Sequence, residues 1–462
     1  MNSYPTGVPA TVDVSPYLSL SACLRSACQS FANLPAFSDL DTSIRYTEWD
    51  RYSRHFAAYL QNVQSLRHGH RIALMMPNLL QYPVALLAAW RVGLVVVNIN
   101  PDSTAEELEY QLKDADVSAI VVCEEMVPTL QRVLEWNPDL VLSVVITQPD
   151  DLRPHAMGAP TSASVKYRTK ESGPWQIAES EPFDAALRGG EGFELQEPAS
   201  YLADIALLQY TKGSTGLAKG VMLTHGNLLA VMAQLGEWIT PVLRRGQEVC
   251  VCPSPLWRID VLAPWMVLSG VGAHSILLAD SKDLGLIAQT LGHYPVTVIL
   301  GLNTLYGSLL KAPGFAASKM PTLKCAHAVG MAVQASVAER WKKATGVPII
   351  QAYGPTECTS AASCKLLDNV ELIGTIGQAL PATEIAVKNE TGQEVPQGTT
   401  GEIWIRGPQV MQGYWLRKQE TEQVLTATGW LHTGDMGFMD RYGYIWMTGR
   451  KRSTLPQIQD AH

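Results

Sequence analysis

The chain of 462 residues is too long for one ordinary core, and its 47% hydrophobic and 17% charged composition is that of a well-buried globular protein in two or three parts. A formal charge of −8, with no basic block to offset it, argues against nucleic acid as the main partner. Eight cysteines without paired metal spacing, no signal-peptide pattern behind Met1, and apolar runs broken by Arg91, Pro264 and His274 predict a reduced, cytoplasmic enzyme of small molecules with at most peripheral membrane contact.

In chain order, helical spacing covers Leu18 to Phe31 and Trp49 to Leu60. Arg71 to Asn78 reads as a strand closed by a Pro-Asn turn, Tyr82 to Arg91 as a helix and Gly93 to Asn98 as a β-branched strand. Glu106 to Asp114 is helical again, and Ser118 to Val122 is a further strand. This alternation predicts an α/β protein with a doubly wound parallel sheet. Residues 149–199 shift toward Pro, Gly, Ser and charge, which predicts an irregular connection with a short helix from Phe183 to Leu187.

The apolar run Ile205-Ala206-Leu207-Leu208-Gln209 predicts a buried strand leading into Tyr210-Thr211-Lys212-Gly213-Ser214-Thr215-Gly216-Leu217-Ala218-Lys219-Gly220. A strand that runs into hydroxyls, glycines and lysines suits a polyphosphate: glycine lets backbone N–H groups approach the oxygens, hydroxyls donate, and lysine brings charge. The spacing is not that of the Walker A loop, because Lys219 follows Gly216 by three positions and precedes Gly220. The competing reading is a plain Gly/Ser turn between two strands.

Beyond it, a helix from Asn227 to Trp238, strands near Val249 to Cys252, Ser275 to Leu278 and Val296 to Leu300, and a helix from Ser336 to Thr345 resume the alternation. The strand Val347 to Ile350 is followed by Tyr353-Gly354-Pro355-Thr356-Glu357. A carboxylate at the end of a parallel strand is placed to hold Mg²⁺ against phosphate, and a tyrosine beside it to stack on a purine. From about Ile373, short alternating strands such as Gly401 to Gly407 predict a small antiparallel, barrel-like part. In Trp430-Leu431-His432-Thr433-Gly434-Asp435, the Asp435 carboxylate is a candidate acceptor for two ribose hydroxyls.

The order Thr-x-Gly-Ser-Thr-Gly-x-x-Lys-Gly, with those two clusters behind it, resembles the adenylate-forming superfamily. The stretches Ala73 to Leu86, Gly301-Leu302-Asn303-Thr304-Leu305-Tyr306, Ala338-Glu339-Arg340-Trp341 and Gly407 to Trp415 most resemble the large N-terminal domain of bacterial long-chain fatty acid–CoA ligases. The resemblance implies two doubly wound α/β subdomains packed together plus a small antiparallel β-barrel-like subdomain. The first α/β part would take about residues 1–200, the second 201–370 with the ATP loop, the small part 371–448, and a hinge remnant and tail 449–462. It also implies ATP-dependent activation of a fatty acid as acyl-adenylate, then thioester formation with coenzyme A.

Carried over residue by residue, Tyr210, Thr211, Lys212, Gly213, Ser214, Thr215, Gly216 and Lys219 would wrap the phosphates, and Thr215 and Glu357 would hold Mg²⁺. Tyr353, with Gly354 and Thr356, would meet the adenine end, and Asp435 and Arg450 the ribose. Lys219, Thr215, Glu357 and Arg258 form the expected catalytic set, and Trp257, Asn303, Ala328, Val329, Gly330 and Met331 the acyl path. Three departures from the family stand out: Lys212 for Ser or Gly, Arg258 for His, and Ala328-Val329 for glycines. Lys212 and Arg258 would add charge near the phosphates, whether as compensation or as drift. The family continues past a charged hinge residue, here Ser453, into a mobile C-terminal domain; this chain reaches His462 without matching it, so that domain is expected to be absent. Two alternatives therefore stay open: a nucleotide or acyl-adenylate binder without turnover, and an adenylation-only half-enzyme served by a separate C-terminal-domain-like or carrier protein. A dimer is also left open.

Overall fold

The computed structural model describes residues 8–13, 16–39, 42–152, 177, 179–211, 217–239, 241–315, 320–330, 333–365 and 374–451. Its strands form two sheets, each parallel at its heart. The first runs, edge to edge, through Gly413–Tyr414, Lys219–Thr224, Ile205–Thr211, Val95–Asn98, Arg71–Met75, Val117–Cys123, Ser143–Thr147 and Glu181–Pro182. From Ile205–Thr211 onward every neighbour is parallel, with Val97 opposite Leu208 and Ala73 opposite Val97. The second has a parallel centre of Pro35–Ser38, His274–Leu277, Val249–Cys252, Val298–Leu302, Cys325–Val329 and Ile349–Tyr353.

Strands buried on both faces read as unbroken apolar runs, and Val95-Val96-Val97 is one of them. Helices cover both faces of each sheet, as doubly wound sheets require. Leu108, Leu112, Leu130 and Val133 pack on the outer face of the first sheet, and Ile287, Leu291, Tyr306 and Trp341 on that of the second. The inner faces share one core with helices Tyr46–Asn62, Gln81–Val92, His225–Ile239 and Ile259–Gly270. Every residue of Gln81–Val92 is buried, as in a central helix that is apolar nearly all round, and its Arg91 is ion-paired with Asp50 and Glu197. Polar groups lock the layers together: Asn78 Nδ2 donates to the carbonyls of Cys252 and Ser254 at 3.0 and 2.8 Å, and the Tyr82 hydroxyl donates to Asn98 Oδ1 at 2.9 Å.

Local chemistry sets the element ends. Thr104 caps Ala105–Asp114 by accepting from the Glu107 N–H while Glu107 returns a bond to the Thr104 N–H, both at 3.2 Å. Gly93 ends its helix at φ +75°, and a Cβ there would stand 2.5 Å from the His68 ring.

The alternation expected up to Val122 is present with ends shifted by a few residues, and helix Phe183–Glu191 lies in the connection where a short helix was expected. Several elements were not anticipated, among them helix Val127–Trp136, whose buried face recurs at helical spacing through Val127, Leu130 and Val133, and helix Ile259–Gly270, which has no clear period. From Thr375 the chain turns antiparallel, as expected. Glu384–Lys388, Gly401–Arg406, Leu431–Met439, Ile445–Arg450 and Thr375–Ala379 form a ladder that joins the second sheet through Ser363–Cys364. Among the described residues this ladder is open, with no pairing that closes it into a barrel. No described helix is long and apolar enough to cross a membrane.

Candidate active site

The carboxyl ends of parallel strands from both sheets open on one cavity of about 960 Å³. Asn98, Gln209, Tyr210 and Thr211 reach it from the first sheet, and Val329, Gly330, Gly354, Pro355 and Thr356 from the second. Ligands of α/β sheets lie at such ends. Lys212, Gly213, Ser214, Thr215 and Gly216 lie outside the described residues, as does Met331. The expected phosphate loop is therefore represented by its two flanks, and both Thr211 and the pair Leu217-Ala218 line the cavity.

Those flanks are held by residues that the sequence did not single out. The Tyr110 hydroxyl donates to the Ala218 carbonyl at 2.8 Å, and the Tyr210 hydroxyl donates to Asp114 Oδ2 at 2.7 Å. Arg417 Nη2 donates to Asp114 Oδ1 at 2.6 Å, Trp415 Nε1 to the Asp114 carbonyl at 3.0 Å, and the Trp415 N–H to the Gly220 carbonyl at 2.7 Å. Burial, then the Asp114 carboxylate, raise the Tyr210 hydroxyl far above its ordinary pKa, so it remains a donor. Tyr210 thus borders the cavity while its hydroxyl is committed elsewhere. Of this set, Trp415 stood in a stretch quoted for the family likeness; Asp114 was legible only as a helix end.

Glu357 sits in the one-turn helix Thr356–Cys358 beyond Ile349–Tyr353. The Tyr414 hydroxyl donates to its Oε1 at 2.7 Å, and Lys219 Nζ lies 5.0 Å from the centre of the same tyrosine ring. Lys219 and Glu357 therefore meet on Tyr414, although they come from different sheets. Burial, then Glu357, push the Tyr414 hydroxyl well up, which keeps it protonated. Among the described residues, no group of three or more His, Cys, Asp or Glu is clustered for a metal. Neither Glu357 nor Lys219 lines the cavity, whose border on this side includes Gly354, Pro355 and Thr356. One carboxylate would suit Mg²⁺, an ion that keeps several waters and is commonly held by one or two carboxylates plus substrate phosphates.

Tyr353, Asp435 and Arg450 form a second constellation. The Tyr353 hydroxyl donates to Asp435 Oδ2 at 2.7 Å, and Arg450 Nε stands 3.6 Å from Asp435 Oδ1 across the paired strands Leu431–Met439 and Ile445–Arg450. Burial, then Asp435, raise the Tyr353 hydroxyl. These three do not line the cavity that their neighbours Gly354 and Thr356 border.

Of the expected acyl-path residues, Trp257, Val329 and Gly330 line the cavity, together with Arg258. Ala328 faces the opposite side of its strand, in the cluster with Tyr306 and Trp341, and Asn303 opens the helix Asn303–Leu309 outside the lining. Arg258 is held by Asp260: Nε donates to Oδ1 at 3.0 Å and Nη2 to Oδ2 at 2.6 Å. Its charge is thereby offset by a carboxylate that no motif in the sequence marks. His327, also unanticipated, joins them in the wall.

Two such sheets, joined through shared helices and opening on one cavity at their strand ends, are the architecture of adenylate-forming enzymes. The chain belongs to the AMP-binding enzyme family, which it matches over residues 24–415. It is 37% identical over 456 residues to a long-chain-fatty-acid–CoA ligase of Escherichia coli O6:H1, covering 98% of this chain and 81% of that protein. A ligase of the same description from Bacillus subtilis is 30% identical over 462 residues, covering 98% and 80%. Among solved structures, the fold is similar to an anthranilate CoA ligase in complex with anthranoyl-AMP (TM-score 0.81, 20% identity, 95% of this chain and 78% of that one). It is likewise similar to a long-chain-fatty-acid-CoA ligase from Archaeoglobus fulgidus (TM-score 0.80, 23% identity, 98% and 87%).

Proposed function

We propose that this chain activates a fatty acid with ATP as the acyl-adenylate and transfers the acyl group to coenzyme A. A carboxylate oxygen attacks the α-phosphorus, the bond to the bridging oxygen breaks, and pyrophosphate leaves with the electron pair. The coenzyme A sulfur then attacks the acyl carbon, and AMP leaves. The observation that carries this reading is that both flanks of the phosphate loop and the turn Gly354-Pro355-Thr356 border the same cavity. Mg²⁺, held by Glu357 with phosphate oxygens, would neutralise charge between the two approaching anions.

The residues' own work is alignment, which is most of what phosphoryl chemistry asks of a protein. In this reading Thr211 to Lys219 wraps the phosphates, with Tyr110, Asp114 and Trp415 bracing its ends. Tyr353, Asp435 and Arg450 take the ribose and adenine end, and Tyr414 orients Glu357. A cytoplasmic setting is supported by the cysteines, all eight of them buried and unpaired.

The test is acid-dependent exchange of labelled pyrophosphate into ATP by the purified chain. Exchange that requires a fatty acid is expected; none with any acid would refute the reading. Tyr414→Phe keeps the ring beneath Lys219 but removes the hydroxyl from Glu357. Since a hydrogen bond to a charged group contributes about 1.5–3 kcal/mol, exchange should fall roughly ten- to a hundredfold. An unchanged rate would remove Tyr414 from this role.

A further inference from the structure

One wall of the cavity carries polar groups that a bare alkyl chain would leave unsatisfied. His327 lies within Cys325–Val329, a central parallel strand of the second sheet. Side chains alternate along a strand, so Ala326 and Ala328 pack outward with Trp341 while His327 and Val329 face the space between the sheets and line the cavity. His327 is only 8% exposed, and its Nδ1 has no hydrogen-bond partner among the described residues. Burial pushes its imidazole down to about 4, against the pull of Asp260. The ring is therefore neutral near pH 7, with one nitrogen donating and the other accepting.

Arg258 and Asp260 line the same cavity. Their two hydrogen bonds use Arg258 Nε and one hydrogen of Nη2, which leaves N–H donors on Nη1 and Nη2 beyond the pair. The Asp260 carboxylate borders the Gly330 backbone, where a Cβ would stand 3.9 Å from Oδ2. The wall thus presents a neutral imidazole with an unmatched buried nitrogen beside an internally balanced ion pair. Buried polar atoms are normally hydrogen-bonded, and a residue of a cavity wall can take its partner from what the cavity holds.

We infer that the acid activated here carries a hydroxyl group on its hydrocarbon body, hydrogen-bonded to His327 and to the Arg258 guanidinium. This rests on the acid-activating function proposed above. A hydroxyl fits because it supplies one donor for a ring nitrogen and lone pairs for a guanidinium N–H, with no net charge. A second carboxylate fits poorly, since Asp260 already neutralises Arg258 and would repel it. An ammonium would have to compete with Arg258 for the same carboxylate. Specificity of this kind is steep: a site that hydrogen-bonds a hydroxyl rejects the analogue lacking it far more strongly than an apolar pocket rejects an added hydroxyl.

The test is calorimetric titration of the purified chain with dodecanoic acid and with the series of monohydroxydodecanoic acids. At least one hydroxy acid should bind about tenfold or more tighter than dodecanoate. His327→Leu should abolish that ratio, weakening the hydroxy acid and tightening dodecanoate. If no member of the series outbinds dodecanoate, or no acid binds, the inference is overturned; a folded His327→Leu protein that keeps the ratio overturns it too. The wild-type ratio stands as its own test should that variant not fold. Pyrophosphate exchange separates this claim from the broader one. Exchange with dodecanoate that no hydroxy acid improves on would remove the hydroxyl alone. Selective hydroxy-acid binding without any exchange would keep the ligand class and remove adenylation.

Discussion

Glu357→Gln should lower acid-dependent pyrophosphate exchange by about a hundredfold or more, with the protein still folded. The substitution keeps the shape of the side chain, and its amide oxygen can still accept from the Tyr414 hydroxyl that holds Oε1 at 2.7 Å. What disappears is the negative charge that, in the proposed function, would hold Mg²⁺ against the phosphates. Glu106, Glu107 and Asp260 also border the cavity, but in this reading Glu357, beside the turn Gly354-Pro355-Thr356, is the carboxylate that would hold the cation. The loss should therefore fall on the rate of adenylate formation and on the Mg²⁺ dependence together, while the melting temperature stays close to that of the parent. A rate within about threefold of the parent would show that Glu357 is a structural acceptor for Tyr414 and nothing more, a distinction that rate factors of this size resolve easily.

Trp49→Ala should be the costliest single change to the fold, on the order of 3–5 kcal/mol in chemical denaturation. Trp49 is fully buried in helix Tyr46–Asn62 and touches three other elements. Its ring lies 4.7 Å from Phe37 in the strand Pro35–Ser38, edge to face, and 6.2 Å from Trp265 in helix Ile259–Gly270. Its Nε1 donates to the Pro83 carbonyl of helix Gln81–Val92 at 2.9 Å. Truncation would open a large cavity, break that bond and orphan a buried carbonyl, at the place where the layers around the two sheets meet. A cost below about 1 kcal/mol would mean that the layers do not depend on this contact.

What the sequence made legible was what short windows encode. Val95-Val96-Val97 announces a buried β-branched strand, and the helical spacing from Glu106 announces a helix that the structure starts one residue earlier, behind its Thr104 cap. The antiparallel pairing after Thr375 was announced by the alternation in Gly401–Arg406; that it stays an open ladder and not a barrel was not. Helix Ile259–Gly270 hid because it is apolar on nearly every side and carries Pro264 within it, so no 3.6-residue period shows. The candidate site was proposed from motifs, and the residues that brace them were not legible. Asp114 reaches Tyr210 and Arg417 across 96 and 303 positions, separations at which nothing local signals a hydrogen bond. Arg258 looked like charge available for phosphate until Asp260, two positions on, took its guanidinium; on a helix start, that pairing is decided by how the cavity wall turns. Ala328 and His327 differ by one position and face opposite sides of the strand, so a motif carried over as a block assigns the wall to the wrong neighbour.

The central claim is that the strand ends of both sheets hold one acyl-adenylate. A crystal structure of the chain with a non-hydrolysable acyl-adenylate mimic tests it most directly. The account predicts the acyl body in the cavity, running past Trp257 toward Arg258 and His327, the phosphate-replacing group at its edge between Thr211 and Thr356, and the ribose beyond that edge, toward Asp435. A mimic bound elsewhere, with that cavity empty or filled by side chains, would contradict it.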